Sequence, residues 1–312
     1  MNKVVLIFAL FLTFVSCSER KKITRTDTPT SGFASFVGDD CYAPIINDQF
    51  KVFEALNQEA FLTPYYTNEV EAVNLMLKDS LRLAVLARDL TEDEKQGLRN
   101  KNLNPRSQKI AIDGIALIIN KENNDSLISI PRLTKIMTGE LTSWKEINPD
   151  SKYDAISVVF DNPNSSTVRF IKDSICREKP LFDGLRAMDN NQSVLDYVAR
   201  TPNSMGIIGV NWISNPKDST NLTFSDKIRV MSISRTEPAT RNNSYQPLPA
   251  FLALGNYPLT RDVYVVLTDL RGTLLSGFMN FLSGDRGQRI MLKAGLVPAT
   301  RPVRLVSVSD HY

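Results

Sequence analysis

Apolar positions along the first hundred folded residues alternate between two periods. FASFV (33–37), FLTPYY (61–66) and RLAVLA (82–87) are short runs rich in β-branched and aromatic residues and predict strands. Between them, INDQFKVFEALNQ (46–58) and EVEAVNLMLKD (69–79) carry apolar residues at helical spacing. Thr91-x-x-Glu94 opens a further helix with a capping box. KIAIDGIALIIN (109–120) is a long Ile-rich run broken by Gly114, and after Asn120 the pattern restarts with a helix at LTKIMTGEL (133–141). This second series ends near Tyr257-Pro258-Leu259, and two helices follow around GFMNFLSG (277–284) and RGQRIMLKAG (286–295). Phe278, Phe281 and Leu282 form an i, i+3, i+4 face there, which reads as core. Strands alternating with helices predict an α/β fold with a largely parallel sheet.

One stretch departs from plain alternation. In DNPNSSTVRFIKDSI (161–175), Asn162-Pro163-Asn164 is turn chemistry, and Val168, Ile171 and Ile175 follow i, i+3, i+7 spacing. Ser165, Ser166 and Thr167 therefore fall on the first turn of a predicted helix. There the backbone N–H groups lack intrahelical partners and the helix dipole presents roughly half a positive charge. Hydroxyls added at that point make an anion site; they also cap helices of every function.

The 312 residues are 42% hydrophobic and 23% charged, enough for two ordinary globular domains. MNKVVLIFALFLTFVSC begins with Lys3 as its only charge and continues with an apolar run, Val4 to Val15, too short to span a bilayer and suited to a secretory signal. Phe14-Val15-Ser16-Cys17 is similar to a bacterial lipobox, which predicts a cleaved signal at 1–16 and a lipid on Cys17. Residues 17–30 read as a polar tether. A formal net charge of +3 gives no bulk field for nucleic acid. Cys41 and Cys176 lie far apart and outside any metal-ligand spacing, so two separate thiols are expected. The lone histidine, His311, leaves no basis for Ser-His-Asp or His-metal chemistry elsewhere in the chain. No G-x-S-x-G elbow or Gly-rich phosphate loop is present, so neither enzyme nor cofactor is expected.

DGIALIINKEN, TGELTSWKEINP, NSSTVRFIKDSI, SMGIIGV, NYPLTRDVYVVL and GQRIMLKAGLVP, in this order, resemble the substrate-binding protein of the bacterial phosphate ABC transporter. The resemblance spans most of residues 33–300. It implies a two-lobe α/β periplasmic binding-protein fold of type II, with crossover strands near 113–120 and 256–262. Lobe 1 would take residues 31–116 and 259–312, and lobe 2 residues 117–258. It further implies a monomer of the bacterial envelope that closes over inorganic phosphate or a similar oxyanion and delivers it to an ABC permease.

Carried over residue by residue, the resemblance places Ser165, Ser166 and Thr167 on the ligand, with Ser166 where the family has glycine. Thr67 and Asn68 match its second helix-terminal contact, and Arg88 matches a basic residue found in some members. Arg169 is a weaker cation, on the helix and facing solvent. Three acids depart from the pattern: Asp161 stands where the family has arginine, and Asp39 and Asp40 where it has small hydroxyl residues. Opposite charges ~4 Å apart interact by about 4 kcal/mol at an effective dielectric near 20, so the Asp161 exchange turns attraction into repulsion of that size. Either the ligand brings its own protons or donors, or the fold serves a non-transport role as an envelope sensor or interaction partner.

Overall fold

The computed structural model describes residues 26–215, 218 and 223–301. The predicted signal at 1–16, Cys17 and most of the expected tether lie outside them. β1 (Ser31–Asp39), α1 (Ala43–Leu56), β2 (Glu59–Thr67), α2 (Glu69–Leu77), β3 (Leu83–Leu86) and α3 (Glu92–Asn100) follow one another as the periodicity predicts. Thr91 and Glu94 form the expected reciprocal capping box. Next come β4 (Arg106–Asn120), β5 (Leu127–Ser129), α4 (Ile130–Met137), α5 (Trp144–Ile147) and β6 (Ser157–Phe160). α6 (Ser166–Phe170), β7 (Arg186–Ala187), α7 (Asn191–Arg200), β8 (Ser204–Gly209), β9 (Ile228–Val230), β10 (Ser232–Ser234), β11 (Ser244–Tyr245) and α8 (Pro249–Ala253) complete the middle. β12 (Thr260–Leu267), α9 (Leu274–Ser283), α10 (Asp285–Lys293) and β13 (Val297–Pro298) close the described chain.

The main sheet runs β2-β1-β3-β12-β4-β8-β6-β7, and β4 belongs to both of its halves. Residues 106–114 of β4 pair antiparallel with β12, whereas Ile115–Ile119 pair antiparallel with β8. Partner exchange at Gly114 thus lets one extended strand cross from one half to the other. β1 pairs in parallel with β2 and β3, and β6 in parallel with β8 and β7. The expectation of a largely parallel sheet holds within each half; the antiparallel pairs belong to the strands that join the halves.

Each half has its own core. In the first, α9 lays Phe278 against Phe36 (centroids 5.2 Å apart) and Phe53 (5.5 Å), so the end of the chain returns to the strands of its beginning. In the second, the tract TGELTSWKEINP builds a short capped helix: Ser143 and Glu146 form a capping box, and Trp144 is wholly buried with its Nε1–H donating to the Asn203 carbonyl at 2.9 Å. Its recognisable spelling therefore has a packing cause.

Two expectations need correction. Residues 26–30 are docked rather than free: an Asp27 carboxylate oxygen accepts from Leu274 N–H at 3.0 Å, and Pro29 lies so close to α9 that a Cβ at Gly277 would sit 1.9 Å from its carbonyl oxygen. The helix predicted through Ile175 is α-helical only to Phe170 and continues as a π-helical turn, Ile171–Cys176. Val168, Phe170, Ile171, Ile175 and Cys176 are all buried, and those five do not share one face of a 3.6-residue helix. The wider turn brings them inward together.

Candidate functional site

The loop after β6 is built by side-chain caps. Asn162 accepts from Asn164 N–H through its side chain (2.9 Å) and from Ser165 N–H through its carbonyl (3.0 Å), which closes the turn. Ser165 is the N-cap of α6: its Oγ accepts from Val168 N–H at 3.1 Å and donates to Asp161 Oδ1 at 2.6 Å. Ser165 thus performs the ordinary capping role. Ser166 and Thr167, both fully buried, instead turn their hydroxyls toward the first half of the molecule.

What they meet there is Arg261. β12 alternates buried and less buried residues, and Arg261 lies in phase with buried Val263 and Val265. It pairs in register with Asp113 of β4. Its Nε and Nη2 each lie 3.0 Å from Asp113 Oδ2, its Nη1 donates to Ser166 Oγ at 2.8 Å, and its Nη2 meets Cys41 Sγ at 2.6 Å. The guanidinium carbon also stands 5.1 Å from the centre of the Tyr42 ring, within reach of a cation–π contact. Burial disfavours the charge, but the surrounding anionic and polarisable groups outweigh that and hold Arg261 protonated.

Cys41 and Tyr42 arrive in one short 3-10 turn, Asp40–Tyr42, that ends β1. Asp39 caps it by accepting from Cys41 N–H at 3.0 Å. The Cys41 carbonyl accepts from Asn211 Nδ2 (3.0 Å) and Trp212 Nε1 (2.8 Å), and its sulfur lies 3.8 Å from Thr167 Oγ1. A Cβ at position 209 would fall 3.0 Å from that sulfur, so Gly209 gives the turn room against β8. Burial pushes the Cys41 thiol well above its usual range. Cys41 and Cys176 are separate buried thiols, as expected.

The acids are the unusual part. Asp39, Asp113 and Asp161 are fully buried. Desolvation raises all three carboxyl pKa values above the ordinary value; for Asp39 the neighbouring Glu69 adds to the rise, while Arg261 opposes it in every case. Asp40 is pushed up to about 6, first by burial and then by the charge of Asp161. Asp39 Oδ2 and Asp40 Oδ1 are buried without a hydrogen-bond partner. Asp161 is better served, by Ser165 and by Asn191 Nδ2 at 3.3 Å.

The structure therefore gathers Asp39, Asp40, Asp161, Ser165, Ser166 and Thr167 around one chamber wall, and adds Arg261, Asp113, Cys41 and Tyr42. Arg88 is elsewhere engaged. Its Nη1 and Nη2 donate to the two Glu94 carboxylate oxygens at 2.7 and 2.8 Å, and its Nε lies 3.4 Å from Glu69 Oε1. The cation that faces the hydroxyl loop is Arg261, because β12 pairs with β4 in the register that sets it beside Asp113, while Arg88 stands beside the acids of α2 and α3. Arg169, expected to face solvent, folds back onto buried Glu69 through Nε (2.5 Å) and Nη2 (3.1 Å) and onto the Ala87 carbonyl (3.4 Å), tying α6 to the other half of the molecule. Asn68 caps α2 by accepting from Glu71 N–H at 3.0 Å, and Thr67 ends β2 beside it.

Residues 24–286 match the family model of the PBP superfamily domain. The chain belongs to that family. Among curated proteins, the phosphate-binding protein PstS of Staphylococcus aureus strain bovine RF122 / ET3-1 is 24% identical over 278 residues, which cover 86% of this chain and 79% of that one. Among solved structures, a substrate-binding protein of Clostridium perfringens with bound phosphate superimposes with a TM-score of 0.71 at 19% identity, covering 86% of this chain and all of the other. An ABC-type phosphate transport receptor of Vibrio cholerae gives 0.62 at 16% identity over 85% of this chain and 99% of the other. These likenesses establish the two-lobe periplasmic binding-protein fold; β4 pairs in both halves of the sheet, and β12 lies beside its first part. The chamber described above lies where those two strands meet the ends of β1, β6 and β8.

Proposed function

We propose that this PBP-family chain is an extracytoplasmic solute-binding protein that captures phosphate or a related oxyanion for an ABC importer. The observation that carries the reading is Arg261, a fully engaged buried guanidinium on a crossover strand, bonded to the hydroxyl of Ser166 on the opposite wall. A charge so placed meets any ligand that enters from either lobe. The curated relatives named above, which are phosphate-binding proteins, support the choice of ligand.

In this reading the Ser166 and Thr167 hydroxyls and the Arg261 Nη groups exchange their present partners for oxygens of the ligand. Ser165 and Asn191 hold Asp161, and Asp40 closes the chamber from the first lobe. Lobe 1 comprises residues 31–116 and 259 onward, lobe 2 residues 117–258, and hinge motion takes place where β4 and β12 pass between them. Glu69 and Arg169 hold the lobes together once closed. The ligand stabilises that closed form by binding it more tightly than the open one. Cys17 carries a lipid that keeps the monomer at the membrane beside its permease. Among the described residues no helix is long and apolar enough to cross a membrane. The work of the site is binding and release, with no bond made or broken.

The test is calorimetric titration of the full chain with phosphate, sulfate and other tetrahedral oxyanions, repeated with Arg261→Met. Saturable phosphate binding that weakens at least tenfold in the variant is the expected result. No heat and no shift in melting temperature with any oxyanion at millimolar concentration would overturn the reading.

A further inference from the structure

The charges around the chamber do not balance. Asp39 and Asp40 come from the end of β1, Asp113 from β4 and Asp161 from the end of β6; the cation in direct contact with this group is Arg261, which already gives two of its nitrogens to Asp113. Other charged groups nearby are matched among themselves: Glu69 of α2 takes Arg169 of α6 and Arg88, and Arg88 also takes Glu94 of α3. Cys41 and Tyr42, the remaining titratable groups against Arg261, are held neutral by burial. The unmet hydrogen-bonding capacity is mostly acceptor: Asp39 Oδ2, Asp40 Oδ1, Asp113 Oδ1 and the side-chain oxygens of Asn191 and Asn211 are buried without partners, against the Tyr42 hydroxyl, which can donate.

The oxygens of an oxyanion that carry no proton are acceptors too. Placed among these carboxylates, they would set acceptor against acceptor and negative charge against negative charge in a medium that screens poorly. A proton removes both conflicts at once, because it turns one carboxylate oxygen into a donor and cancels one charge.

We propose that oxyanion capture in this cleft is coupled to uptake of about one proton from solvent by the protein's own acids, held on Asp40 and shared with Asp161 of the opposite lobe. This rests on the oxyanion reading above and adds to it the source of the balancing charge. Asp40 is the acid placed for the role: it is less deeply buried than Asp39, so solvent reaches it while the cleft is open, and Asp161 repels its charge from the facing wall. In the empty protein near neutral pH Asp40 is mostly ionised. An anion arriving beside it adds a second repulsive neighbour, drives the carboxyl to its neutral form, and then accepts the new O–H as a hydrogen bond. Asp161, whose oxygens already accept from Ser165 and Asn191, stays the more anionic member of the pair.

The experiment is titration of the full chain with inorganic phosphate at pH 7 in a series of buffers of different ionisation enthalpy. The slope of observed heat against that enthalpy counts protons taken up. Wild type is expected to take up about one, and phosphate affinity to rise up to about tenfold as pH falls from 8 to 7. Asp40→Asn carries a permanent donor in place of the proton and should lower the count toward zero and flatten the pH dependence. Any share that comes from the ionisation of phosphate itself persists in the variant, so the difference between the two proteins belongs to the carboxyl group. Should Asp40→Asn fold poorly, Asp161→Asn gives the same comparison from the other wall. Binding with no proton uptake, or with a count unchanged by both substitutions, overturns the inference and leaves the oxyanion reading standing. Absence of phosphate binding to wild type overturns both.

Discussion

Replacing Arg261 by methionine tests the central pair directly. Arg261 is 6% exposed and Asp113 fully buried, so the substitution leaves a carboxylate in the interior without its counter-charge. Removing one partner of a buried ion pair typically costs about 3–5 kcal/mol, and loss of the contact with the Tyr42 ring adds about 1 kcal/mol. For a chain of this size each kcal/mol lowers the melting temperature by about 2–4 °C, so a drop of roughly 10 °C or more is expected at pH 7.5. The pH dependence carries the sign of the cause. An unpaired Asp113 has its folded pKa raised above its unfolded value, so its contribution is present at low pH and is lost as pH rises through the folded pKa. The deficit of the variant should therefore shrink as the solution is acidified toward about pH 4. Asp113→Asn combined with Arg261→Met removes the stranded charge and should recover most of the loss. The assay is thermal unfolding followed by circular dichroism at pH 7.5 and pH 5 for the three proteins. A single-variant deficit below about 1 kcal/mol, or a double variant no more stable than the single, would refute the argument that this pair is mutually required.

Three further outcomes follow from the same geometry. Asp40 is raised from 3.8 to about 6 in the folded protein, so stability present below pH 4 should be lost as pH rises through about 6, by at most about 3 kcal/mol at 1.36 kcal/mol per unit; urea midpoints against pH should show the slope in wild type and a flatter profile in Asp40→Asn. Glu69→Gln weakens the hold on Arg169 across the two lobes, and on Arg88 within the first, and should cost about 1–3 kcal/mol, with small-angle scattering showing a larger radius of gyration without ligand; an unchanged radius would mean that the lobes are held by other contacts. Thr167→Val keeps the shape beside Cys41 and removes one hydroxyl, so phosphate affinity should fall about fivefold, the equivalent of ~1 kcal/mol; unaltered affinity would reduce the loop to a helix cap.

The elements of the first half were legible because their signals are local. Thr91 and Glu94 stand three residues apart and cap each other in the folded chain as their spacing implies. Phe278 and Leu282 share one face of α9 and are both fully buried. The π-helical turn at Ile171–Cys176 was not legible, since Val168, Ile171 and Ile175 satisfy an α-helical spacing on their own. The demand for a wider turn comes from Phe170 and Cys176, which are buried among the apolar residues of the second core. Arg169 misled for a similar reason: within its own helix it faces outward, and the group that claims it, Glu69, is 100 positions away.

Arg261 shows where a periodic reading of a strand stops short and what would extend it. Within TRDVYVVL it is a charge among alternating residues, and arginines at strand ends usually reach solvent. Its phase, however, matches Val263 and Val265, which are buried, and a charged group in a buried phase requires a partner in the same phase of a neighbouring strand. Asp113, inside the Ile-rich run of β4, is such a group, 148 residues earlier. Two opposite charges, each out of character with an apolar strand, are a prediction that the strands pair in the register that joins them. The same argument separates Arg261 from Arg88, whose guanidinium is engaged by Glu94 and Glu69. Arg88 stands at the end of β3 next to acids that arrive on helices, where partners are plentiful, whereas Arg261 has its partner fixed by a ladder of backbone hydrogen bonds. A guanidinium held in that way stays with its strand, so under the proposed oxyanion reading the anion must come to it.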